Sequence, residues 1–459
     1  MNRRDLAAIG FMTFALFLGA GNLIYPPLMA QQAGDHWLIA IGGFLLTAVG
    51  LPAITLVVLG RLSSADKLTS SLPKWMDRSF WFLVLTTLGP AFVLPRAVTV
   101  AYEMGIKPFY SGNGLMVFSA LFCALTLWLA LKPGKLVDYI GKVMTPALIG
   151  MLAVLVAAAL LNPLGSPSQA IEIYEQAPAV NGLIQGYMTL DAIAAVAFGW
   201  VIIQTIRSKG IESKKAISYY TLRIAIIYAV LMSLCYLAMG YLGSTSSEIA
   251  PGATNGGEIL TSYAEGEFGV LGQILLASIT LMACLTTTIG LTNANSEYYK
   301  NTYGVTFKVS ATIIMVLTAI ISNVGLETII EVSLPAILIL CPIAIALIIA
   351  MILMPEKSEK SEKSEKSEKS EKSEKSEKSE KDTLMISTSH TTIVCIAALF
   401  GTIDALHILG KLPEAMTAFC DQWLPLFSSH MSWLIPVFIT ILVNKVLRKT
   451  QLKNVATSN

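Results

Sequence analysis

The amino-acid sequence predicts an all-α integral membrane protein with about twelve transmembrane helices. Of its 459 residues, 54% are hydrophobic and 14% are charged, and the mean hydropathy is +0.65. A soluble domain carries about 25% charged residues. The low charged fraction of this chain therefore excludes a soluble domain. The apolar residues form runs of the roughly 20 residues that cross a bilayer. These spans lie near residues 6–32, 37–59, 79–104, 114–131, 143–161, 182–206, 217–242, 269–292, 307–324, 332–354, 388–410 and 431–447.

Basic residues orient the spans, because they are concentrated in alternate loops. The N-terminus carries Arg3 and Arg4, and the loops predicted on the same side hold most of the remaining Lys and Arg. The two long loops on the opposite side, 162–180 and 243–267, contain Glu but no Lys or Arg. The positive-inside rule therefore places both termini in the cytoplasm, which requires an even number of spans.

A Glu-Lys-Ser repeat divides the chain into three predicted parts. The repeat occupies a cytoplasmic linker at 356–382, and its alternating charges cannot form a packed core. Before it lies a ten-helix core at 1–355, with repeats at about 5–161 and 181–354. After it lies a two-helix tail at 383–459.

Spans one and six contain residues that interrupt a helix. Span one holds Gly19-Ala20-Gly21-Asn22 followed by Pro26-Pro27, and span six holds Gly182, Gly186, Thr189 and Asp191. Gly costs about 1 kcal/mol and Pro about 3 kcal/mol relative to Ala inside a helix. The two spans are five helices apart, and repeating five spans inverts the second copy. Interrupted helices at matching positions of inverted repeats indicate the central site of a transporter.

A broken helix supplies the polar groups that such a site needs. In a bilayer, backbone groups stay unpaired only where they line a cavity. The N-terminus of a half-helix attracts a carboxylate, whereas freed carbonyls and hydroxyls suit Na⁺ or an ammonium group. A zwitterionic amino acid with a co-transported cation needs both kinds of group in one place.

Three motifs resemble the BrnQ-type branched-chain amino acid:cation symporters: FMTFALFLGAGNLIYPPLMAQQAG, GYMTLDAIAAVAFG and the Pro-Arg pair of VLPRAVTVAYE. The resemblance covers nearly the whole chain apart from the repeat. It implies a LeuT-type fold of the APC superfamily, with a 5+5 inverted repeat, broken helices one and six, and two added C-terminal helices. It also implies sodium-coupled uptake of leucine, isoleucine and valine across the bacterial inner membrane, with Na⁺ as coupling ion and no organic cofactor.

A second resemblance implies cation ligands. GAGNLIYPPLMAQQAG, YMTLD and ACLTTTIG are similar to the first-, sixth- and eighth-helix motifs of LeuT-type neurotransmitter:sodium symporters. Two departures stand out: span seven has no Asn to complete a second sodium site, and Tyr25 stands where those symporters place an Arg. The implied ligands of a first Na⁺ are the carbonyls of Ala15, Leu18 and Ala283 and the hydroxyls of Thr286 and Thr287. Those of a second Na⁺ are the Phe17 carbonyl, the Asn22 side chain and Thr189.

The substrate residues follow from the same two breaks. The carboxylate is expected at the N–H groups of Gly21 and Asn22, and the ammonium at carbonyls near Phe17, Met188 and Thr189. The predicted substrate-binding residues are Gly19, Ala20, Gly21, Asn22, Tyr187, Met188, Thr189 and Asp191.

Asp191 has several possible roles, since an intramembrane carboxylate is costly and indicates function. It could pair with the substrate ammonium, join a cation site or accept a proton in a proton-coupled symporter. Alternatively, it forms a structural pair with Arg96 in span three, for which Glu103 competes from the same face of that helix.

Other classes of protein fit the sequence less well. A membrane enzyme or redox subunit would need paired intramembrane His, clustered Cys, or a nucleophile beside a base, and none is visible, so we expect no enzyme. A channel would lack the saturable counterflow of an alternating-access carrier. The expected partners are the three amino acids and membrane lipid, with no nucleic acid and no obligate protein partner.

Overall fold

The computed structural model describes residues 1–62, 64–110, 112–132, 137–353 and 372–457, and these contain helices and no strand. The chain divides into two compact units. Unit 1 comprises Met1–Ser63 and Val84–Ser333, and unit 2 comprises Ser64–Leu83 and Leu334–Asn459.

The helices follow the predicted spans closely. In chain order they are α1 (Arg3–Phe17), α2 (Ala20–Ala33), α3 (Trp37–Leu45), α4 (Leu51–Leu62), α5 (Lys74–Thr86), α6 (Val93–Gly105), α7 (Leu115–Ala130), α8 (Thr145–Leu161), α9 (Glu172–Gln176), α10 (Pro178–Tyr187), α11 (Asp191–Ser208), α12 (Lys214–Ser244), α13 (Gly256–Phe268), α14 (Val270–Tyr303), α15 (Phe307–Ile321), α16 (Leu326–Leu353), α17 (Lys372–Ile408), α18 (Glu414–Trp423) and α19 (Leu434–Thr457). Short π-helical segments occupy Leu46–Gly50, Thr87–Ala91 and Val137–Met144.

The all-α membrane prediction is confirmed. Within the described ranges, nine helices are long and apolar enough to cross a membrane, and Leu115–Ala130 and Leu434–Leu447 are shorter apolar helices. The count of twelve spans, the 5+5 repeat and the cytoplasmic termini stay predictions.

The first span breaks at Leu18 and Gly19. α1 ends at Phe17, Leu18 leaves the helical region at ψ 79°, and Gly19 is extended at φ −107° and ψ −167° before α2 begins. Pro26 and Pro27 lie inside α2 and not at the break. Each proline lacks an N–H and leaves a carbonyl in the preceding turn without its helical donor.

The sixth span breaks between Tyr187 and Asp191. α10 ends at Tyr187, Leu190 adopts a left-handed conformation at φ 70° and ψ 7°, and α11 begins at Asp191. A non-glycine residue in that region costs about 1–3 kcal/mol and is concentrated at functional sites.

A third break precedes α6 and was not anticipated. Gly89 in Thr87–Ala91 has non-helical angles of φ −89° and ψ −129°, and Pro90 follows it. α6 then starts at Val93 and packs against α14, which also contacts α1 and α11. The three breaks therefore belong to helices that pack around α14.

Unit 2 has a small polar core of its own. Asp404 is fully buried and accepts a hydrogen bond of 3.1 Å from the Ser432 backbone N–H. His407 stacks on Phe427 with ring centroids 4.5 Å apart.

The predicted linker is covered in part. Residues 354–371 lie outside the described residues, and α17 begins at Lys372 and continues to Ile408. The predicted start of the tail at residue 383 therefore falls within a helix.

Candidate functional site

A cavity lies where the breaks of spans one and six meet α6 and α14. Its volume is about 20 Å³. That room suffices for one water, so its walls must separate to admit an amino acid. Six of the eight predicted substrate residues line it: Gly19, Ala20, Gly21, Asn22, Thr189 and Asp191. Tyr187 and Met188 end the preceding helix and are not part of this lining.

Asn22 and Asp191 line this cavity and form a hydrogen-bonded cluster with Tyr236, which lies outside the lining. Asn22 Nδ2 and the Tyr236 hydroxyl each donate a hydrogen bond of 2.8 Å to Asp191 Oδ2, and Asn22 Nδ2 also donates to the Tyr236 hydroxyl. All three residues are buried. The cluster therefore joins α2, α11 and α12 through one carboxylate oxygen.

Tyr236 is the residue of this cluster that the sequence analysis did not single out. The second resemblance implies an Asn in span seven that completes a second sodium site, and span seven of this chain has no Asn. A tyrosine within that apolar span was the available signal, because a buried tyrosine hydroxyl usually has a hydrogen-bond partner.

Thr189 supports the second break. Its hydroxyl donates to the Gly186 carbonyl at 2.8 Å, and the Asp191 backbone N–H donates to that hydroxyl at 3.4 Å. Asp191 begins α11, where the helix dipole stabilises negative charge. The break thus positions the carboxylate at the positive end of a helix.

Three of the five predicted first cation ligands, Ala15, Ala283 and Thr286, lie together between α1 and α14. Thr286 Oγ1 donates to the carbonyls of Ala15 at 2.8 Å and Ala283 at 2.9 Å. Thr287 Oγ1 reaches the neighbouring Leu16 carbonyl at 2.9 Å. Leu18 is the buried cap of α1.

The predicted second cation ligands take part in hydrogen bonds at the two helix breaks. The Phe17 carbonyl accepts the Gly19 N–H at 2.7 Å, and the Thr189 hydroxyl bonds to Gly186. The Asn22 side chain lies in the same cavity, and its Nδ2 donates a hydrogen bond to Asp191.

Arg96 lines the same cavity but forms no ion pair with Asp191 within 4.0 Å, and the described residues give it no other ionic partner. Glu103 pairs instead with Lys107, Nζ to Oε2 at 2.6 Å. The structural Arg96–Asp191 pair is therefore not formed, and the competing Glu103 pair is absent too.

A larger cavity of about 750 Å³ lies beside Ile24, near the loop that follows α6 and the N-terminus of α13. Three carboxylates, Glu103, Glu258 and Glu327, and one cation, Lys107, line it. The hydrogen bond to Glu103 raises the pKa of Lys107.

Comparison with known families finds one that covers most of the chain. The model described as "Branched-chain amino acid transport protein" matches residues 2–367. The branched-chain amino acid transport system 2 carrier protein of Pseudomonas aeruginosa is 37% identical over 447 residues, which cover 96% of this chain and 95% of that protein. The branched-chain amino acid permease BraB of Bacillus subtilis is 32% identical, covering 97% and 95%.

Two solved transporter structures share the fold. MhsT in complex with L-phenylalanine superposes with a TM-score of 0.56 at 14% identity, covering 85% of this chain and 98% of that one. The nucleobase-cation-symport transporter Mhp1 superposes with a TM-score of 0.60 at 12% identity, covering 99% and 96%. Both have the LeuT-type fold, which confirms that expectation for this chain.

Proposed function

Because the chain belongs to the family of branched-chain amino acid transport proteins, we propose that it takes up leucine, isoleucine and valine by sodium-coupled alternating access. It does so in the bacterial inner membrane with both termini in the cytoplasm. The observation that carries this proposal is the meeting of two broken helices at a buried cavity that contains Asn22 and Asp191.

The amino-acid head group fits the ends of the half-helices. α2 starts at the cavity, and its N-cap Gly19 makes no side-chain cap, so the first N–H groups of α2 are available to a carboxylate. Asp191 offers the opposite charge to the ammonium group. The two complementary groups orient the zwitterion across the cavity.

Aliphatic selectivity is supported by the apolar wall of the cavity. Leu88, Val93, Ala97, Phe198 and Leu291 line it beside the polar groups. An aliphatic side chain is stabilised there by about 25 cal/mol for each Å² of apolar surface removed from water.

The oxygen cluster between α1 and α14 is the proposed sodium site. Na⁺, like other hard cations, is bound by oxygen ligands, and Ala15, Ala283 and Thr286 already place three oxygens together. In this structure the single proton of the Thr286 hydroxyl is shared between the two carbonyls. On sodium binding the hydroxyl turns its proton away and presents a lone pair, with Leu18 and Thr287 completing the set.

Proton coupling at Asp191 is the second candidate. Asp191 is 4% exposed, and within the described ranges no Lys, Arg or His nitrogen lies within the 4.0 Å of an ion pair. An ionised carboxylate is costly at membrane depth, and a bound proton removes that charge.

Uptake of labelled leucine into proteoliposomes distinguishes the two. We expect accumulation driven by an inward Na⁺ gradient, loss of accumulation when choline replaces Na⁺, and competition by valine and isoleucine but not by an equal concentration of alanine. Accumulation driven by a proton gradient without Na⁺ contradicts sodium coupling and supports Asp191. Absence of leucine uptake under both gradients contradicts the proposed substrate.

A further inference from the structure

Arg96 carries a buried guanidinium that the described residues leave without a hydrogen-bond or ion-pair partner. The residue is 5% exposed, and in the described part of the chain none of its side-chain nitrogens makes a hydrogen bond. Its Nε is fully enclosed with no acceptor. A guanidinium has five N–H donors and is always charged. The described residues provide no acceptor for the donors of Arg96 and no negative charge paired with it.

Among the described residues, no carboxylate forms an ion pair with Arg96 or accepts a hydrogen bond from it. Asp191 lies in the same cavity, but its Oδ2 accepts from Asn22 and Tyr236 and it forms no ion pair with Arg96. Glu103 is bound to Lys107. A buried charge without a partner is costly, so an anion from outside the protein would be strongly favoured there.

Arg96 is held against the start of α2. A Cβ at Gly21 would lie 2.8 Å from Arg96 Nη2, so the guanidinium touches the first turn of α2. The uncapped N–H groups of that turn carry partial positive charge. Two independent positive groups therefore converge on one point of the cavity.

We propose that Arg96 binds the carboxylate of the transported amino acid. This inference deepens the proposed function and rests on it. The planar fork of a guanidinium matches the two oxygens of a carboxylate, and the N–H groups of Gly21 and Asn22 add to the same oxygens. Asp191, which lines the same cavity, takes the ammonium, so the head group is recognised in α-amino acids whatever their side chain.

The test compares leucine with leucinamide, which keeps the ammonium and the side chain but lacks the carboxylate. Dissociation constants are measured by calorimetry on the purified full chain in Na⁺, at a pH where the leucinamide amine is protonated. We expect the wild-type protein to bind leucine about 100-fold more tightly than leucinamide.

Arg96→Met should remove that preference. We expect leucine affinity to fall about 100-fold while leucinamide affinity changes less than about threefold. Arg223→Met is the matched control, because Arg223 stacks on Tyr219 away from the cavity, and it should leave both constants unchanged. Equal losses for both ligands in Arg96→Met would show a structural role and overturn the proposal.

Arg96→Lys decides the question if Arg96→Met does not yield a monodisperse protein. Lysine keeps the charge but not the fork, so the preference for leucine should fall about tenfold and persist in part. An unchanged preference overturns the proposal. If the wild-type protein does not bind leucine, the proposed function itself is wrong, and this inference falls with it.

Discussion

Replacing Gly21 with Ala tests whether leucine binding requires the close contact between the first turn of α2 and the Arg96 guanidinium. The added Cβ would lie 2.8 Å from Arg96 Nη2, 3.5 Å from Arg96 Cζ and 3.4 Å from Tyr25 Cε2. Non-bonded heavy atoms are at their optimum at about 3.5 Å or more. The guanidinium must therefore retreat by about 0.7 Å.

The cost should appear in binding and hardly in folding. The guanidinium is the end of a flexible side chain, so it can move without the backbone, and Ala favours a helix by about 1 kcal/mol over Gly. A charge-assisted hydrogen bond contributes about 1.5–3 kcal/mol. Losing roughly half of that weakens leucine binding about tenfold, or about 1.4 kcal/mol.

Calorimetric dissociation constants and thermal unfolding of the purified protein measure the two effects separately. Gly42→Ala is the inert control, because nothing lies within 4 Å of its added Cβ. Gly182→Ala is the folding control, since its Cβ would lie 1.8 Å from the Ala40 carbonyl oxygen. Unchanged leucine affinity in Gly21→Ala, or a loss of stability equal to that of Gly182→Ala, would refute the reasoning.

Three further substitutions test the other polar groups. Thr286→Val removes a hydroxyl from the proposed sodium site and should raise the Na⁺ concentration for half-maximal uptake about tenfold. The control Ser278→Ala, on an exposed face of the same helix, should leave that concentration unchanged. Equal sodium dependence in the two variants contradicts the site. Asp191→Asn should weaken leucine binding about 100-fold but leave 4-methylpentanoate, which lacks the ammonium, nearly unaffected; equal losses would contradict an ammonium contact. Tyr236→Phe removes a donor to Asp191 and should lower stability by about 1–3 kcal/mol in thermal unfolding, with Tyr241→Phe as the neutral control.

Two of the three helix breaks could be predicted from sequence, but their exact positions could not. Glycines and prolines in an apolar run are local signals, and they located the interruptions of spans one and six, although Gly89 and Pro90 carry the same signal in span three. Leu190, which adopts a left-handed conformation, carries no such signal. The proline pair misled, because Pro26 and Pro27 lie inside α2 and not at the break.

Long-range partners were the other part that the sequence left open. Tyr236 meets Asn22 across 214 positions of the chain, and the contact between Arg96 and Gly21 joins two spans. Apolar spans repeat the same residues, so no periodicity says which helices become neighbours. The resemblance supplied the order of the helices but not the polar partners that replace the missing Asn of span seven.

The three breaks give the cavity a common electrostatic design. α2, α6 and α11 all begin at it, and their first turns carry Gly21, Arg96 and Asp191. Each helix start contributes partial positive charge, so the backbone favours an anion. Asp191 is the exception, and in the proposed function it binds the substrate ammonium.

This design argues for one sodium ion per amino acid. The C-terminal end of α1 carries partial negative charge and supplies the carbonyl of Ala15 to the Thr286 cluster, which makes it the favourable end for a cation. In the cavity, the Phe17 carbonyl and the Thr189 hydroxyl serve the breaks. We expect leucine uptake to rise hyperbolically with Na⁺ and the reversal potential in proteoliposomes to fit one sodium per leucine. A sigmoidal dependence together with a reversal potential for two would place a second ion beside Asn22 and refute this division of charge.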